Sequence, residues 1–307
     1  MRARWAFLGL FVTAAIALGY TSLARDAGGF PAPFDSAITG SFGPDQTPKS
    51  STLELMSWNI DRGYQFDRIE QTLRERQATV CLLQEVDLRA RRTGNRDVAR
   101  ELAKSLNYNF AFGAEFEELS QGTDNQPAFH GQATMSRLRV TKARILRFAR
   151  QSGWWQPHTG IPNVPFFQRR LGGRIGLVTE LALGDSKLVV YNLHLESRSG
   201  GAIQSAQLNE VLEDLKQYPK ETPAIIGGDL NSKYHPSAVL QFLRQQGFRS
   251  VLGDQLQRTH VIIGYLDWIF YRGQWRVESG EVVRGTHASD HDPIVATLTR
   301  SATAKAE

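Results

Sequence analysis

The chain has 307 residues, a formal net charge of +5 and a single cysteine. That length suits one large sandwich or two smaller domains, and the apolar and charged fractions are those of a globular protein. One thiol excludes an intrachain disulfide framework, and so small a basic excess is only a weak pointer to an anionic partner.

Met1 to Arg4 is basic, Trp5 to Tyr20 is apolar without a charge, and Ser22-Leu23-Ala24 offers the small residues that a signal peptidase reads. Residues 1–24 are therefore expected to be a signal peptide or an uncleaved N-terminal membrane anchor, the apolar run being a little shorter than the ~20 residues of a spanning helix. With Arg2 and Arg4 ahead of the run, both readings place the remainder outside the cytoplasm, periplasmic or extracellular. Residues 25–52 are rich in Gly, Pro, Ser, Thr and Asp without hydrophobic periodicity, which predicts a flexible linker.

One domain is expected over 53–299, with 300–307 as a disordered tail. Leu53 to Ile60 reads as a strand, Phe66, Ile69 and Leu73 have helical spacing, Thr79 to Val86 is a strand, and Val98, Leu102 and Leu106 return to helical spacing. Cys81 lies inside the second of these strands and reads as a small buried hydrophobe. After a strand-rich middle, Lys187 to Leu195 is a strand, Leu208, Leu212 and Leu215 mark a helix, Ala224 to Leu230 is a strand, and Pro236 opens a helix carrying Val239, Leu240 and Leu243. Tyr265 to Tyr271 and Pro293 to Thr299 are the closing strands. The repeated alternation suggests two similar halves and an α/β fold, a four-layer sandwich of two packed mixed sheets with helices outside.

Polar clusters interrupt the apolar strands at their ends: Asn59, Gln84-Glu85, Asn192-Leu193-His194, Asp229-Leu230-Asn231 and Ser289-Asp290-His291. Strand tips that emerge together at one sheet edge make a site. Hard oxygen ligands without cysteine suit Mg²⁺, with Mn²⁺ as the alternative, and histidines among carboxylates suit acid-base work on a phosphate ester. A Ser-Asp-His string does not indicate a serine nucleophile, because no Gly-x-Ser-x-Gly elbow is present.

Taken in order, Ser57-Trp58-Asn59, Leu83-Gln84-Glu85-Val86-Asp87, Asn192-Leu193-His194-Leu195, Gly228-Asp229-Leu230-Asn231, Leu266-Asp267-Trp268-Ile269 and Ser289-Asp290-His291-Asp292-Pro293 resemble the endonuclease/exonuclease/phosphatase superfamily. The resemblance spans about 53–299 and implies a metal-dependent hydrolase of phosphate esters on a four-layer sandwich. It implies Glu85, Asn59, Asp290 and, as the softer assignment, Asp61 on the metal side. His291 would activate or orient the attacking water, Asp267 would fix its tautomer, His194 would donate to a phosphate oxygen, and Asp229 and Asn231 would position water and the transition-state oxygens. Glu85 has a physical reason of its own, since a carboxylate behind an apolar strand is costly without a cation.

His130-Gly131-Gln132-Ala133 departs from the Gly-Asn-Ala block usual in that family, so Gln132 stands where a shorter substrate-binding amide is expected. Arg89 and Arg92, in an arginine-rich loop after Glu85, are read as phosphate forks. Trp154 and Trp155 open an aromatic, Pro-rich loop ending at Arg169-Arg170, suited to base stacking or to a lipid headgroup layer. The expectation is a monomeric Mg²⁺-dependent phosphodiesterase acting on nucleic acid or, second, on phospholipid or sphingomyelin. An inositol-phosphate phosphatase and an inactive phosphate-binding module are the further alternatives, and the N-terminal segment offers membrane association.

Overall fold

A computed structural model of the chain describes residues 36–43, 52–123, 125–233, 235–262 and 264–300. The segment 1–24 read as signal or anchor, and residues 301–307 of the expected tail, lie outside the described residues.

The first sheet contains β1 (Ile38–Ser41), β2 (Thr52–Arg62), β3 (Val80–Leu88), β4 (Asn109–Glu118), β5 (Phe129–Ser136), β13 (Trp275–Val282) and β14 (Ile294–Arg300), in the order β1-β4-β5-β3-β2-β14-β13, with β7 (Arg170–Gly172) also paired to β4. The second contains β6 (Val140–Arg147), β8 (Ile175–Leu183), β9 (Ser186–His194), β10 (Ala224–Asp229), β11 (Arg249–Ser250) and β12 (Asp267–Arg272), in the order β11-β12-β10-β9-β8-β6. At the centre of each is a parallel pair, β2 with β3 and β9 with β10, flanked by antiparallel strands. Helix α1 (Phe66–Arg76) makes the first crossover and α3 (Ala202–Leu215) the second, which gives the two halves their likeness. Helices α2 (Val98–Leu106) and α4 (Pro236–Gln245) complete the outer layers.

Strand alternation sorts the apolar side chains into three cores. Met56, Trp58 and Ile60 of β2 meet Ile69, Leu73 and Leu102 of α1 and α2. Leu53 and Leu55, one position out of phase, meet Val190, Ile225 and Ile269 across the gap between the sheets. Tyr191, Leu193 and Ile226 pack against Leu208, Val211 and Leu243 of α3 and α4. Three cores separate four layers, as the sequence pattern predicts.

Two boundaries differ from expectation. Residues 38–41, assigned above to the linker, form an edge strand: Ile38 and Phe42 pack on the helix-side core, and Phe42 stacks on Phe110 at 6.1 Å between ring centroids. A four-residue strand is too short to show a period amid turn-forming residues. Strand β13 was also not anticipated, because it is an edge strand whose Arg276, Glu278 and Glu281 face water and mask any apolar alternation.

Candidate functional site

The face between the sheets is apolar along most of its length and turns polar at one end. On β2 it runs Leu53, Leu55, Ser57, Asn59; on β9 Leu188, Val190, Asn192, His194; on β10 Ile225, Gly227, Asp229; all are set by the two-residue period. Gln84 and Asn192 join the sheets by a 2.7 Å hydrogen bond just inside that end. Asp267 and His291 lie at the start of β12 and just before β14, at N-terminal strand ends where C-terminal tips were expected. Both strands are antiparallel to the central pairs, so their N-terminal ends reach the same edge.

Glu85 should by alternation join Cys81 and Leu83 on the helix side. It is instead in the left-handed region, with φ of 52°, and a bulge in β3 breaks register with both neighbours. The bulge turns its carboxylate to the site, 3.4 Å from Asn59 Nδ2 and 3.4 Å from Arg62 Nη1. Burial alone would raise its pKa, but His130, Arg62, His194 and Arg174 outweigh burial and hold the group well below the usual carboxylate range. Asp61 is paired with Arg62. Burial pushes its carboxyl up from the ordinary value; Arg62 opposes this, and Asp290 and Glu85 add to the rise. Asp61 thus has two further carboxylates, Asp290 and Glu85, near enough to act on it, hard oxygens of the kind a divalent cation takes. Asn59 takes a different part: its Oδ1 accepts from the Asp61 N–H at 3.1 Å while Nδ2 donates to Glu85 and, at 3.3 Å, to Asp229. It therefore positions acids instead of offering an oxygen.

Asp267 Oδ2 lies 2.7 Å from His291 Nδ1. Thr259 Oγ1 accepts from the Asp267 N–H at 3.0 Å, Trp58 Nε1 donates to the His291 carbonyl at 2.8 Å, and Ser289 Oγ donates to the Asn59 carbonyl at 2.7 Å, so both partners are fixed to the frame. Burial would lower the His291 pKa, yet Asp267 in contact, with Asp229 and Asp290 behind it, drives it up to about 10. The ring is an imidazolium at neutral pH. Burial and the Asp267 carboxylate push Asp229 up to about 6. Asn231, with φ of 49°, donates its backbone N–H to Asp229 at 2.9 Å and its side-chain amide to the Leu195 carbonyl. Gly228 is required just before: at φ of 128°, an added Cβ would stand 1.9 Å from the Leu193 carbonyl oxygen. His194 is buried, 3.6 Å from Asp229 through Nε2, and burial together with Arg174 lowers its pKa well below the ordinary value. It is a neutral imidazole.

Three sequence assignments move. Gln132 is wholly buried and donates to Glu115 at 2.9 Å, so it braces the buried Glu115–Arg174 ion pair (3.1 Å) instead of facing a substrate. Arg92 makes two 2.7 Å bonds to Asp87 and one of 3.1 Å to Glu118, which removes it as a free phosphate fork. A basic loop cannot reveal in sequence which guanidinium has a buried partner. Arg89 remains exposed, with its guanidinium over Phe129. Trp155 is half-buried against Phe116, which in turn stacks on His130, and Trp154 is exposed; both lie beside the site.

Several site groups were missed. His130, hydrogen-bonded to Asp87 at 2.9 Å and 3.9 Å from Glu85, occupies the departure block that was read only for Gln132. Glu115 and Arg174 sit in the strand-rich middle, where no block drew the eye. His260 meets His291 edge to face at 4.7 Å and lies 3.4 Å from Asp290; its segment shows no periodicity. Among the described residues, His260, Asp290 and His291, and Asp229, Asp267 and His291, are groups whose ligand atoms all fall within 4.8 Å of one another and could hold a metal ion.

Residues 56–291 match the model of the Endonuclease/Exonuclease/phosphatase family. A UPF0294 protein of Erwinia tasmaniensis is 35% identical over 123 residues, which cover 39% of this chain and 44% of that protein, so the chain spans less than half the length of this relative. The human Nocturnin catalytic domain with bound sulfate superposes with a TM-score of 0.60 at 18% identity, over 86% of this chain and 98% of that one. A humanized D. rerio TDP2 gives 0.58 at 21%, over 81% and 100%, and an endonuclease/exonuclease/phosphatase from Beutenbergia cavernae 0.58 at 17%, over 81% and 72%. At such identities these structures speak for the fold, and the sequence match over most of the domain carries the membership: the chain belongs to the Endonuclease/Exonuclease/phosphatase family.

Proposed function

We propose that the protein is a divalent-metal-dependent phosphodiesterase. The observation that carries this reading is the Asp267–His291 imidazolium facing Asp229 beside the Glu85–Asp61–Asp290 carboxylates at one sheet edge. A Mg²⁺ or Mn²⁺ ion bound by Glu85, Asp61 and Asp290 would polarise a phosphoryl oxygen and stabilise charge on the leaving oxygen. The chain's own residues supply the rest. His291, charged and held by Asp267, presents Nε2–H to a non-bridging oxygen, where negative charge builds in the transition state. Of the two roles expected of it, activating or orienting the attacking water, the first is replaced, because a ring already protonated cannot accept a proton. Asp229, raised to about 6, is the group able to take a proton from the attacking water, with Asn231 holding it in place. His194, neutral, adds an N–H donor. A diester is preferred to a monoester because the cleft wall is rich in carboxylates, which repel a dianion more than a monoanion.

Turnover of a chromogenic phosphodiester tests the reading, with Mg²⁺ or with excess chelator. Hydrolysis that chelator abolishes and that Glu85→Gln suppresses supports it. Hydrolysis indifferent to both, or tight phosphate binding without any turnover, refutes it, the latter in favour of a binding module.

A further inference from the structure

Two loops leave the site edge and end in bare apolar tips. The first, 148–169, leaves the C-terminal end of β6 and enters β7, which pairs with the Phe116 end of β4; the second precedes β12. On the first, Trp154 is 55%, Ile161 45%, Phe166 88% and Phe167 59% exposed; on the second, Val261 is 61% and Ile262 80% exposed. Side chains this apolar normally have a partner when they cluster at one edge.

The first loop has a fixed base. Trp155 wedges against Phe116, its carbonyl accepts from the Gly172 N–H at 2.9 Å, Arg170 stands over both rings, and Gln168 donates to the Gln156 carbonyl. A braced base carries the exposed apolar side chains of the tip, which is held by its own turns, Ile161 N–H to the His158 carbonyl and Phe167 N–H to the Val164 carbonyl. The second loop is tied to the other side of the cleft, where Val261 N–H donates to the Asp290 carbonyl at 3.0 Å. The loops thus rise on both sides of the mouth, the base of one beside Phe116, which stacks on His130, and the other tied at Val261 to Asp290.

The chemistry of the tips selects the partner. From Ala149 to Thr179 the chain has no acidic residue and carries Arg150, Arg169, Arg170 and Arg174. Exposed Arg150 and Arg169 beside aromatic and aliphatic tips suit an anionic headgroup layer over hydrocarbon. Base stacking fits less well: the guanidinium of Arg198 stands 4.7 Å over the Trp154 ring, Phe166 and Phe167 are turned edge to face on each other, and Ile161, Val261 and Ile262 have no ring to offer.

We infer that the two tips seat the catalytic edge on an anionic lipid bilayer, so that the site opens onto lipid phosphodiester headgroups. The inference names a substrate source for the proposed phosphodiesterase and rests on that reading only for the chemistry; the docking itself is measured without turnover.

The thiol of Cys81 is buried and pushed up to about 12, so a cysteine introduced at the surface takes an environment-sensitive label selectively. Phe166→Cys, Ile262→Cys and, in the turn between β8 and β9 at the opposite edge, Asp185→Cys would be labelled in the full chain and mixed with phosphatidylcholine–phosphatidylglycerol vesicles. The expected result is a shift of emission to shorter wavelength and quenching by spin-labelled lipid at 166 and 262, with neither at 185. Labels at 166 and 262 that stay as wet as 185 overturn the inference. A response at 166 alone overturns the two-tip orientation, and a response at 166 to single-stranded oligodeoxythymidylate but not to vesicles assigns the loop to nucleic acid. Hydrolysis of the soluble chromogenic diester, followed in parallel, separates failure of docking from failure of the active centre.

Discussion

Asp267→Asn tests the electrostatic heart of the site. The wild-type His291 ring is raised from 6.5 to about 10, and Asp267, in contact at 2.7 Å, is the largest favourable contributor. An opposite charge at such a distance moves a pKa by about 1–3 units, so the amide should lower the His291 value by that amount, on the order of 1–4 kcal/mol of differential interaction. Because the folded pKa lies above the unfolded one, the interaction stabilises the native state fully below pH 6.5 and is lost as pH rises through about 10. Wild-type protein should therefore lose stability to urea across that window, and Asp267→Asn should be weaker at neutral pH with a shallower decline above it. The ring would be followed by its NMR titration, with urea midpoints at several pH values and turnover of the soluble diester measured alongside. Turnover should fall most steeply on the alkaline side, since a ring whose pKa drops from about 10 by about 1–3 units loses its charge there and stabilises less transition-state charge. A His291 titration unmoved by the substitution, or a wild-type midpoint near 6.5, would refute the reasoning.

Glu85→Gln keeps the shape and loses the charge, so activity should drop at least about a hundredfold at fixed Mg²⁺ and recover in part at higher metal; an unchanged metal titration removes Glu85 from the cation site. The wild type should show an acid limb near pH 6, with loss of rate below that value as Asp229 is protonated, and Asp229→Asn should flatten it; persistence of the limb assigns it to another group. Arg174→Met leaves Glu115 buried and unpaired and should cost about 3–5 kcal/mol in urea denaturation. Gly228→Ala, forced against the Leu193 carbonyl, should lower stability by at least about 2 kcal/mol, and a variant as stable as the parent would contradict the close approach of β9 and β10.

The layers were legible because each core has its own phase of alternation, as Met56-Trp58-Ile60 and Leu53-Leu55 show on a single strand. The tips carrying Asn59, His194 and Asp229 were legible for the same reason: a polar residue in phase with buried apolar ones must find partners. Periodicity could not place Glu85, whose direction is set by a left-handed bulge, nor distinguish Arg92, neutralised by Asp87 and Glu118, from Arg89, which is exposed. Both depend on contacts between distant segments. The same holds for His260, which gains meaning only when the chain brings it 4.7 Å from His291.

β14, the last strand of the chain, lies between β2 and β13. Glu85 and Asn59 are made early and His194 and Asp229 midway, but His291, to which the proposed function gives the phosphoryl charge, arrives just ahead of the last strand of the fold. Until β14 slots into the first sheet, β2 presents an open edge, and the emerging chain has neither Asp290 nor His291 in place beside Glu85 and Asp267. On the proposed function, hydrolysis is thus withheld from a partly synthesised chain, and a nonsense mutation ahead of Asp290 should remove the site and the closure of the central sheet in one step.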